Sequence, residues 1–233
     1  MKKKSKIIIG SSLAGVIVLG AVAATAGPVI YRDLIVGEAE QAPTLETKPS
    51  SSATSSATDA DLDGQWDIGS GSFAGYRVDE VLNGTDVTVV GRTEEVSGTL
   101  SIEDENLTDA EITVDVASIS TDSSRRDDYF HNTTMSVGEF PTATFTLGDS
   151  VDIAALSESG ANTTVPVEGE LTLAGTTQPV TLELEAVIDG ESGQAVGQIP
   201  VTFADFGIDA PDLGFVKVED QGVIEFSVNL ERS

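Results

Sequence analysis

The sequence predicts an all-β domain whose antiparallel strands close into a barrel or a sandwich, with one short helical insertion. Apolar and polar residues alternate in run after run, and Gly, Asn or Asp separates most of the runs. No 12-residue stretch of residues 65–233 has a convincing helical period, which argues against a βαβ architecture. Alternation is typical of antiparallel strands with one face in water, and closure removes exposed sheet edges.

Ten alternating segments are predicted as strands, and the first two are also compatible with one bent strand. The run "VPVEGELTL" shows the pattern: Val165, Val167, Leu171 and Leu173 share one face, and Glu168 and Glu170 share the other. The ten segments are 66–69, 72–82, 86–91, 97–103, 111–119, 141–147, 164–174, 179–188, 195–203 and 223–231. About eight strands therefore remain for a closed sheet.

The stretch "SISTDSSRRDDYFHNTTMSVGEFPTATF", residues 118–145, interrupts this pattern. Alternation stops after residue 119, and Thr121 or Asp122 can cap a short helix that carries residues 125–129. Pro141 then begins the next strand, where a proline removes no ladder hydrogen bond. The sequence therefore predicts one helical insertion between two strands.

The same stretch contains the residues most able to do chemistry, and they do not form a catalytic set. His131 is the only histidine, no "GxSxG" motif accompanies it, and the chain has no cysteine for a zinc site. Asp127 and Asp128 are adjacent and would point about 100° apart on a helix. We therefore predict no catalytic residue, no metal and no enzymatic activity. Arg126 and His131 belong either to a solvated helix or to the mouth of a ligand site.

The candidate binding surface is apolar. A small eight-stranded barrel is either filled by its own side chains or holds one small ligand. Eight residues could line such a channel or plug it: Phe73, Tyr76, Val78, Phe130, Phe140, Phe145, Phe203 and Phe206. The residues alone leave both possibilities open.

The N-terminus predicts export of this domain. Four lysines precede an uncharged, mostly apolar segment over residues 7–30, long enough to span a bilayer of roughly 30 Å. Residues 1–30 are interpreted as a membrane anchor, and a signal peptide cleaved within "AVAATAG" is the alternative. Residues 31–64 are rich in Ser, Thr and Ala and predict a disordered tether, which leaves 65–233 as one extracytoplasmic domain.

The charge of the chain excludes one class of partner. The formal net charge is −27, and residues 61–233 contain 34 acidic and six basic residues. Such a surface repels nucleic acid and anionic lipid headgroups. The acids are spread along strands without the "DxDxDG" spacing of a calcium loop, so solubility explains them best.

Four ordered motifs resemble the YceI-like family of bacterial lipid-binding proteins over residues 65–231. They are the opening strand "WDIGSGSFAGYRV", the hairpin "VVGRTEEVSGTLSI", the segment "SISTDSSRRDDYF…EFPTATF" and the hairpin "VEGELTLAGTTQPVTLELE". The resemblance implies an extended, lipocalin-like eight-stranded antiparallel barrel. It also implies that Arg126 and Asp127 occupy the family's "RD" and that their helix closes over the barrel mouth.

The resemblance further implies a function. The domain is expected to bind an amphiphilic isoprenoid-like lipid, of polyprenyl or quinone type, as a carrier, buffer or sensor, with no other cofactor. The anchor and tether indicate an actinobacterial-type surface protein held at the membrane. A ligand-free barrel with a structural or stress-related role at the cell surface is the alternative, and the volume of the interior distinguishes the two.

Overall fold

The computed structural model describes residues 39–45, 62–154, 164–189 and 191–233. Within them the chain forms eleven strands in one antiparallel sheet. The strands are β1 (Gly64–Ile68), β2 (Phe73–Leu82), β3 (Thr85–Thr93), β4 (Val96–Glu103), β5 (Asn106–Asp115), β6 (Thr142–Leu147), β7 (Val151–Asp152), β8 (Thr164–Leu173), β9 (Thr176–Asp189), β10 (Ser192–Thr202) and β11 (Val216–Arg232).

The sheet closes into an eight-stranded barrel, which confirms the predicted architecture. The order around the barrel is β1, β4, β5, β6, β8, β9, β10 and β11, and pairing of β1 with β11 completes the ring. β1 and β2 form one interrupted strand, as do β3 and β4, because Gly64 pairs with Ile102 and Ala74 pairs with Thr93. The two long strands form a single kinked hairpin that extends one end of the barrel.

Tight turns fix the register of the hairpins. Asn83 and Gly84 connect β2 to β3 with φ angles of 52° and 79°, the backbone that a two-residue hairpin turn requires. Ala174 and Gly175 do the same between β8 and β9. With the register fixed, Val165, Val167, Leu171 and Leu173 of β8 are all buried, on the face that the alternation predicts.

The predicted strands differ from the observed ones mainly at their ends. The segment 111–119 stops as a strand at Asp115, because the Asp115 carboxylate accepts a hydrogen bond from the Ala117 amide and starts a 3₁₀ turn. β5 in turn begins earlier, at Asn106, and the short strand β7 was not predicted. β11 begins at Val216, earlier than predicted. A bulge between Val218 and Gly222 interrupts the alternation, so the first part of this strand could not be recognised from the pattern.

The helical insertion is helix α1 (Ser124–Tyr129), which continues as a π-helical turn over Phe130–Thr134. Its N-cap residue is Ser123, whose side chain makes no capping bond, so neither Thr121 nor Asp122 caps the helix as predicted. Thr121 instead forms hydrogen bonds in the turn that precedes the helix. Its hydroxyl oxygen accepts from the Ser123 amide, and the Asp127 carboxylate accepts from both the amide and the hydroxyl of Thr121.

Two parts of the predicted tether contact the barrel. Leu62 is buried, and its carbonyl accepts a hydrogen bond of 3.0 Å from the Trp66 indole. Residues 39–45 lie against the outer face of the sheet, where Glu40 and Gln41 accept hydrogen bonds from Arg77 and Arg92. The rest of the predicted tether, residues 31–38 and 46–61, lies outside the described residues.

The predicted membrane anchor over residues 1–30 lies outside the described residues. Among the helices of the described ranges, none has the length and apolar character needed to cross a membrane.

Candidate ligand-binding cavity

The barrel encloses an elongated cavity of about 680 Å³ between its sheet and helix α1. This volume lies within the roughly 300–1,000 Å³ of small-molecule pockets. The inward faces of all the long strands contribute to its wall, which is predominantly aliphatic. Representative lining residues are Leu100, Ile102, Leu107, Ala110, Leu171, Leu182, Ala195, Ile199, Val201 and Val228. The interior is therefore hollow and apolar, contrary to what a filled structural barrel requires.

Five of the eight predicted channel residues border this cavity: Tyr76, Val78, Phe130, Phe145 and Phe203. The other three do not. Phe73 lies on the outer face, with the Arg92 guanidinium 4.5 Å from its ring centroid. Phe140 packs against Gly175, where an added Cβ would lie 2.4 Å from the ring, and Phe206 is buried in the core away from the cavity.

The difference has a simple geometric cause. Alternate residues of a strand point to opposite faces, so Tyr76 and Val78 of β2 point inward and Phe73 points outward. Aromatic character alone does not tell the two faces apart. Phe73 is an odd number of residues away from Val78, so the alternation of faces along β2 already predicts that it points away from the channel.

One end of the cavity carries a cluster of polar side chains. Glu80 shares the inward face of β2 with Tyr76 and is only 6% exposed. The Arg126 guanidinium lies 3.5 Å from the Glu80 carboxylate and also pairs with the Asp122 carboxylate. Arg126 therefore borders the cavity with its charge already balanced by two acids. Glu80 was not predicted as a site residue. Its position two residues after Val78, on the otherwise apolar face of β2, could have indicated it.

Tyr76 provides the cluster with a neutral hydroxyl. Its ring stacks on Phe130, with centroids 4.8 Å apart, and fits over Gly91, where a Cβ would lie 2.5 Å from the ring. The described residues offer this hydroxyl no hydrogen-bond partner. Burial raises the pKa of Tyr76 well above its ordinary value, and the opposing effect of Arg126 is smaller. The hydroxyl therefore keeps its proton and is available as a donor.

The remaining predicted mouth residue, His131, lies elsewhere. Its Nε2 donates a 2.8 Å hydrogen bond to the Ile119 carbonyl, and its ring meets the edge of Phe130. His131 does not border the cavity. It ties the helical insertion to Ile119, which follows the 3₁₀ turn after β5, and its ring packs against Phe130.

Metal chemistry receives no support from the described ranges. Within them, no group of three or more His, Cys, Asp or Glu side chains is arranged to hold a metal ion. The cavity wall combines aliphatic side chains with the Tyr76 hydroxyl, the Arg126–Glu80 ion pair and the exposed Arg125. Such a set can hold and orient an amphiphile by burial and hydrogen bonding.

A second polar cluster lies on the outer face of the same sheet. The Glu225 carboxylate is fully buried and accepts hydrogen bonds from both Arg77 and Arg92, at distances between 2.7 and 3.3 Å. The Arg92 guanidinium also pairs with Glu40 at 2.6 Å. Gly75 lies between Glu225 and Arg92 in the register, and its lack of a side chain lets the two meet. Of its charged members, only Arg77 also borders the cavity, and Glu225 and Arg92 do not.

Comparison with solved structures shows the same fold in proteins of low sequence identity. BcnA of Burkholderia cenocepacia matches with a TM-score of 0.55 and 21% identity, covering 68% of this chain and 95% of BcnA. A polyisoprenoid-binding domain of Saccharophagus degradans, implicated in plant cell wall breakdown, matches with a TM-score of 0.55 and 16% identity. That match covers 72% of this chain and 98% of the domain.

Sequence comparison identifies relatives as well. A UPF0312 protein of Vibrio campbellii is 30% identical over 129 residues, which are 52% of this chain and 65% of the relative. The matched region thus spans just under two thirds of that protein. The family model of the YceI-like domain matches residues 66–230, which is most of the chain and nearly the whole barrel. The protein therefore belongs to the YceI-like domain family.

Proposed function

We propose that the domain binds an amphiphilic isoprenoid-like lipid, of polyprenyl or quinone type, in the barrel cavity and acts as a carrier, buffer or sensor. The observation that carries the proposal is the cavity of about 680 Å³, apolar along its length and polar at one end. The polyisoprenoid-binding domain of Saccharophagus degradans shares this fold and supports the choice of ligand. Each buried CH₂ contributes about 0.8 kcal/mol, so a long chain binds without many polar contacts.

The polar end indicates a ligand with a neutral head. The cation beside Tyr76, Arg126, is paired with both Asp122 and Glu80 and is not free for a phosphate. Arg125, which is unpaired among the described residues, is exposed to solvent. Tyr76 offers a protonated hydroxyl, which suits a carbonyl or hydroxyl oxygen. We therefore place a quinone ring or a prenyl alcohol at Tyr76 and the chain among the aliphatic side chains of the barrel.

The proposal includes a location outside the cytoplasm and assigns the protein no catalytic step and no resident cofactor. The lysines before the apolar segment 7–30 favour an N-terminus in the cytoplasm and a barrel on the other side of the membrane. An accessible cysteine introduced in the barrel tests this location. It should react with a membrane-impermeant maleimide on intact cells, and labelling only after lysis would contradict it.

Mass spectrometry of the full chain tests ligand binding directly. The protein is purified from its own cells in mild detergent and should carry a displaceable lipid with a neutral oxygen-bearing head. Ala195 borders the cavity and is 5% exposed, so Ala195→Phe fills the channel and should abolish lipid retention. Gln198→Phe introduces the same ring at an exposed site of the same strand and should retain the lipid. An empty wild-type barrel would contradict the proposal.

A further inference from the structure

A short hairpin at the cavity mouth exposes two large apolar side chains. Residues 211–218 turn back on themselves: the Leu213 amide donates to the Val216 carbonyl, and the Val218 amide donates to the Pro211 carbonyl. Leu213 is 48% exposed and Phe215 is 59% exposed. Gly214 separates them with a φ of 80°, and a Cβ there would meet no atom within 4 Å. The tip therefore extends into open space.

This tip is held firmly and is continuous with the cavity. The Asn83 amide in the β2–β3 turn donates a 2.8 Å hydrogen bond to the Phe215 carbonyl, which fixes the tip to the extended end of the barrel. Leu213 and Phe215 both border the cavity as well as solvent. The apolar path from the interior therefore continues without a break onto the outer surface.

Within the described residues, exposed large hydrophobic side chains form a pair only at this end. Among the described residues, the other large hydrophobic side chain exposed to this extent is Val187. Val187 lies near the end of β9, in register through β10 with the C-terminal part of β11. The hairpin tip lies at the opposite, N-terminal end of β11. Large apolar side chains that cluster at an opening mark an interaction site more often than isolated ones do.

Half of the basic residues of the acidic barrel domain lie at the mouth. Of the six basic residues in 61–233, three lie here: Arg125 and Arg126 border the cavity, and Lys217 stands at the base of the hairpin. Arg125 and Lys217 are exposed, and neither forms an ion pair within the described ranges. Asp122 and Glu80 pair with Arg126. Asp212, whose carboxylate accepts from the Gly214 amide, lies opposite Lys217 in the hairpin.

We propose that the mouth of the barrel docks on a phospholipid bilayer, with Leu213 and Phe215 inserted among the acyl chains and Arg125 and Lys217 facing lipid phosphates. Apolar side chains flanked by cations are the pattern that interfacial membrane binding requires. The proposal rests on the proposed lipid-binding function. It adds a route, because a lipid would enter the cavity from the bilayer without crossing water.

Fluorescent labelling of the full chain in phosphatidylcholine vesicles tests the docking. The chain has no cysteine, so Leu213→Cys, Phe215→Cys and Val187→Cys each carry one environment-sensitive probe. We expect a blue shift and quenching by chain-labelled lipid at positions 213 and 215, and a water-like probe at 187. All three proteins share the same N-terminal segment, so any membrane binding by that segment contributes equally to the three probe signals.

A second variant measures the contribution of the tip. With the probe at 213, Phe215→Ser should lower the ratio of inserted to water-exposed probe about tenfold or more, because burial of the ring is lost. Arg125→Gln combined with Lys217→Gln should lower it by a smaller factor. A water-like probe at 215, equal shifts at 215 and 187, or self-quenching between copies in place of lipid quenching would overturn the proposal. Because lipid retention is measured separately, the docking can fail while the binding function stands.

Discussion

Two arginine–glutamate clusters flank the same strand, β2, on opposite faces of the sheet, and they differ in how completely their charges are satisfied. On the outer face, Glu225 accepts from Arg77 and Arg92, and residues 40 and 41 accept further hydrogen bonds from the two guanidinium groups. On the inner face, Arg126 approaches Glu80 only to 3.5 Å, and the Tyr76 hydroxyl beside them lacks a partner in the described chain.

The difference indicates which cluster serves the fold and which serves a ligand. Buried polar groups are normally satisfied by the protein itself, and the outer cluster follows this rule. The inner cluster leaves hydrogen-bonding capacity at the end of an apolar cavity. We therefore interpret the outer cluster as structural and the inner one as the part of the site that orients a lipid head.

The largest expected effect separates the two glutamates by stability. Glu225→Gln should lower the free energy of unfolding by about 3 kcal/mol, because it leaves two half-buried guanidinium groups without their shared carboxylate. Glu80→Gln should change it by less than about 1 kcal/mol, since Arg126 keeps Asp122 as a partner. Urea denaturation of both variants measures the contrast. Equal losses would mean that the inner cluster is structural too.

Alkaline pH should destabilise the domain through Tyr76. Below pH 10 the hydroxyl is protonated in both the folded and the unfolded chain, so it adds no pH dependence. Above pH 10 the unfolded chain releases this proton and the folded chain keeps it, because burial raises the pKa. The free energy of unfolding then falls by up to about 1.4 kcal/mol per pH unit.

Tyr76→Phe provides the comparison for this pH effect. Urea midpoints between pH 9 and pH 11 should fall less steeply in the variant than in the wild-type protein. Parallel curves would show that Tyr76 ionises as freely in the folded protein as in the unfolded chain, and would contradict its assignment as a permanently protonated donor.

The closed sheet and its single helical insertion could be predicted because both leave local patterns. Alternation located β8, β9 and most of β11, and loss of alternation located α1. The partners in the two clusters could not be predicted in the same way. Glu225 lies 148 residues from Arg77 in the sequence, and only the register of β2 with β11 brings them together.

The candidate site was predictable to a similar extent. Parity along β2 places Tyr76, Val78 and Glu80 on one face, so the polar end of the cavity had a local signal. The role of His131 had none, because its partner is the backbone carbonyl of Ile119, which any residue type provides. Two of the hydrogen bonds that hold residues 39–45 to the barrel likewise use backbone carbonyls, of Glu40 and Gln41.

The inner cluster should also be distinguishable by ligand affinity. Tyr76→Phe should weaken binding of the prenyl alcohol geranylgeraniol about fivefold, the value of one neutral hydrogen bond, and leave stability at neutral pH unchanged. The corresponding hydrocarbon, which lacks the oxygen, should bind both proteins equally. Titration calorimetry measures both ligands. Equal affinity of the two proteins for the alcohol would contradict the assignment of Tyr76 to the head.

The smallest expected effect concerns the outer cluster and its contact with residues 39–45. Glu40 pairs with Arg92, but its side chain is 68% exposed, so Glu40→Gln should cost no more than about 0.5 kcal/mol of stability. The contact itself should respond more strongly. Spin labels at Ala42→Cys and Gln198→Cys should give a narrow distance distribution that broadens in Glu40→Gln and at high salt, because screening weakens an exposed pair. A distance distribution unchanged by both would show that the backbone carbonyls of residues 40 and 41 hold the segment without the Glu40 carboxylate. The hydrogen bonds of the outer cluster would then not depend on its most exposed partner.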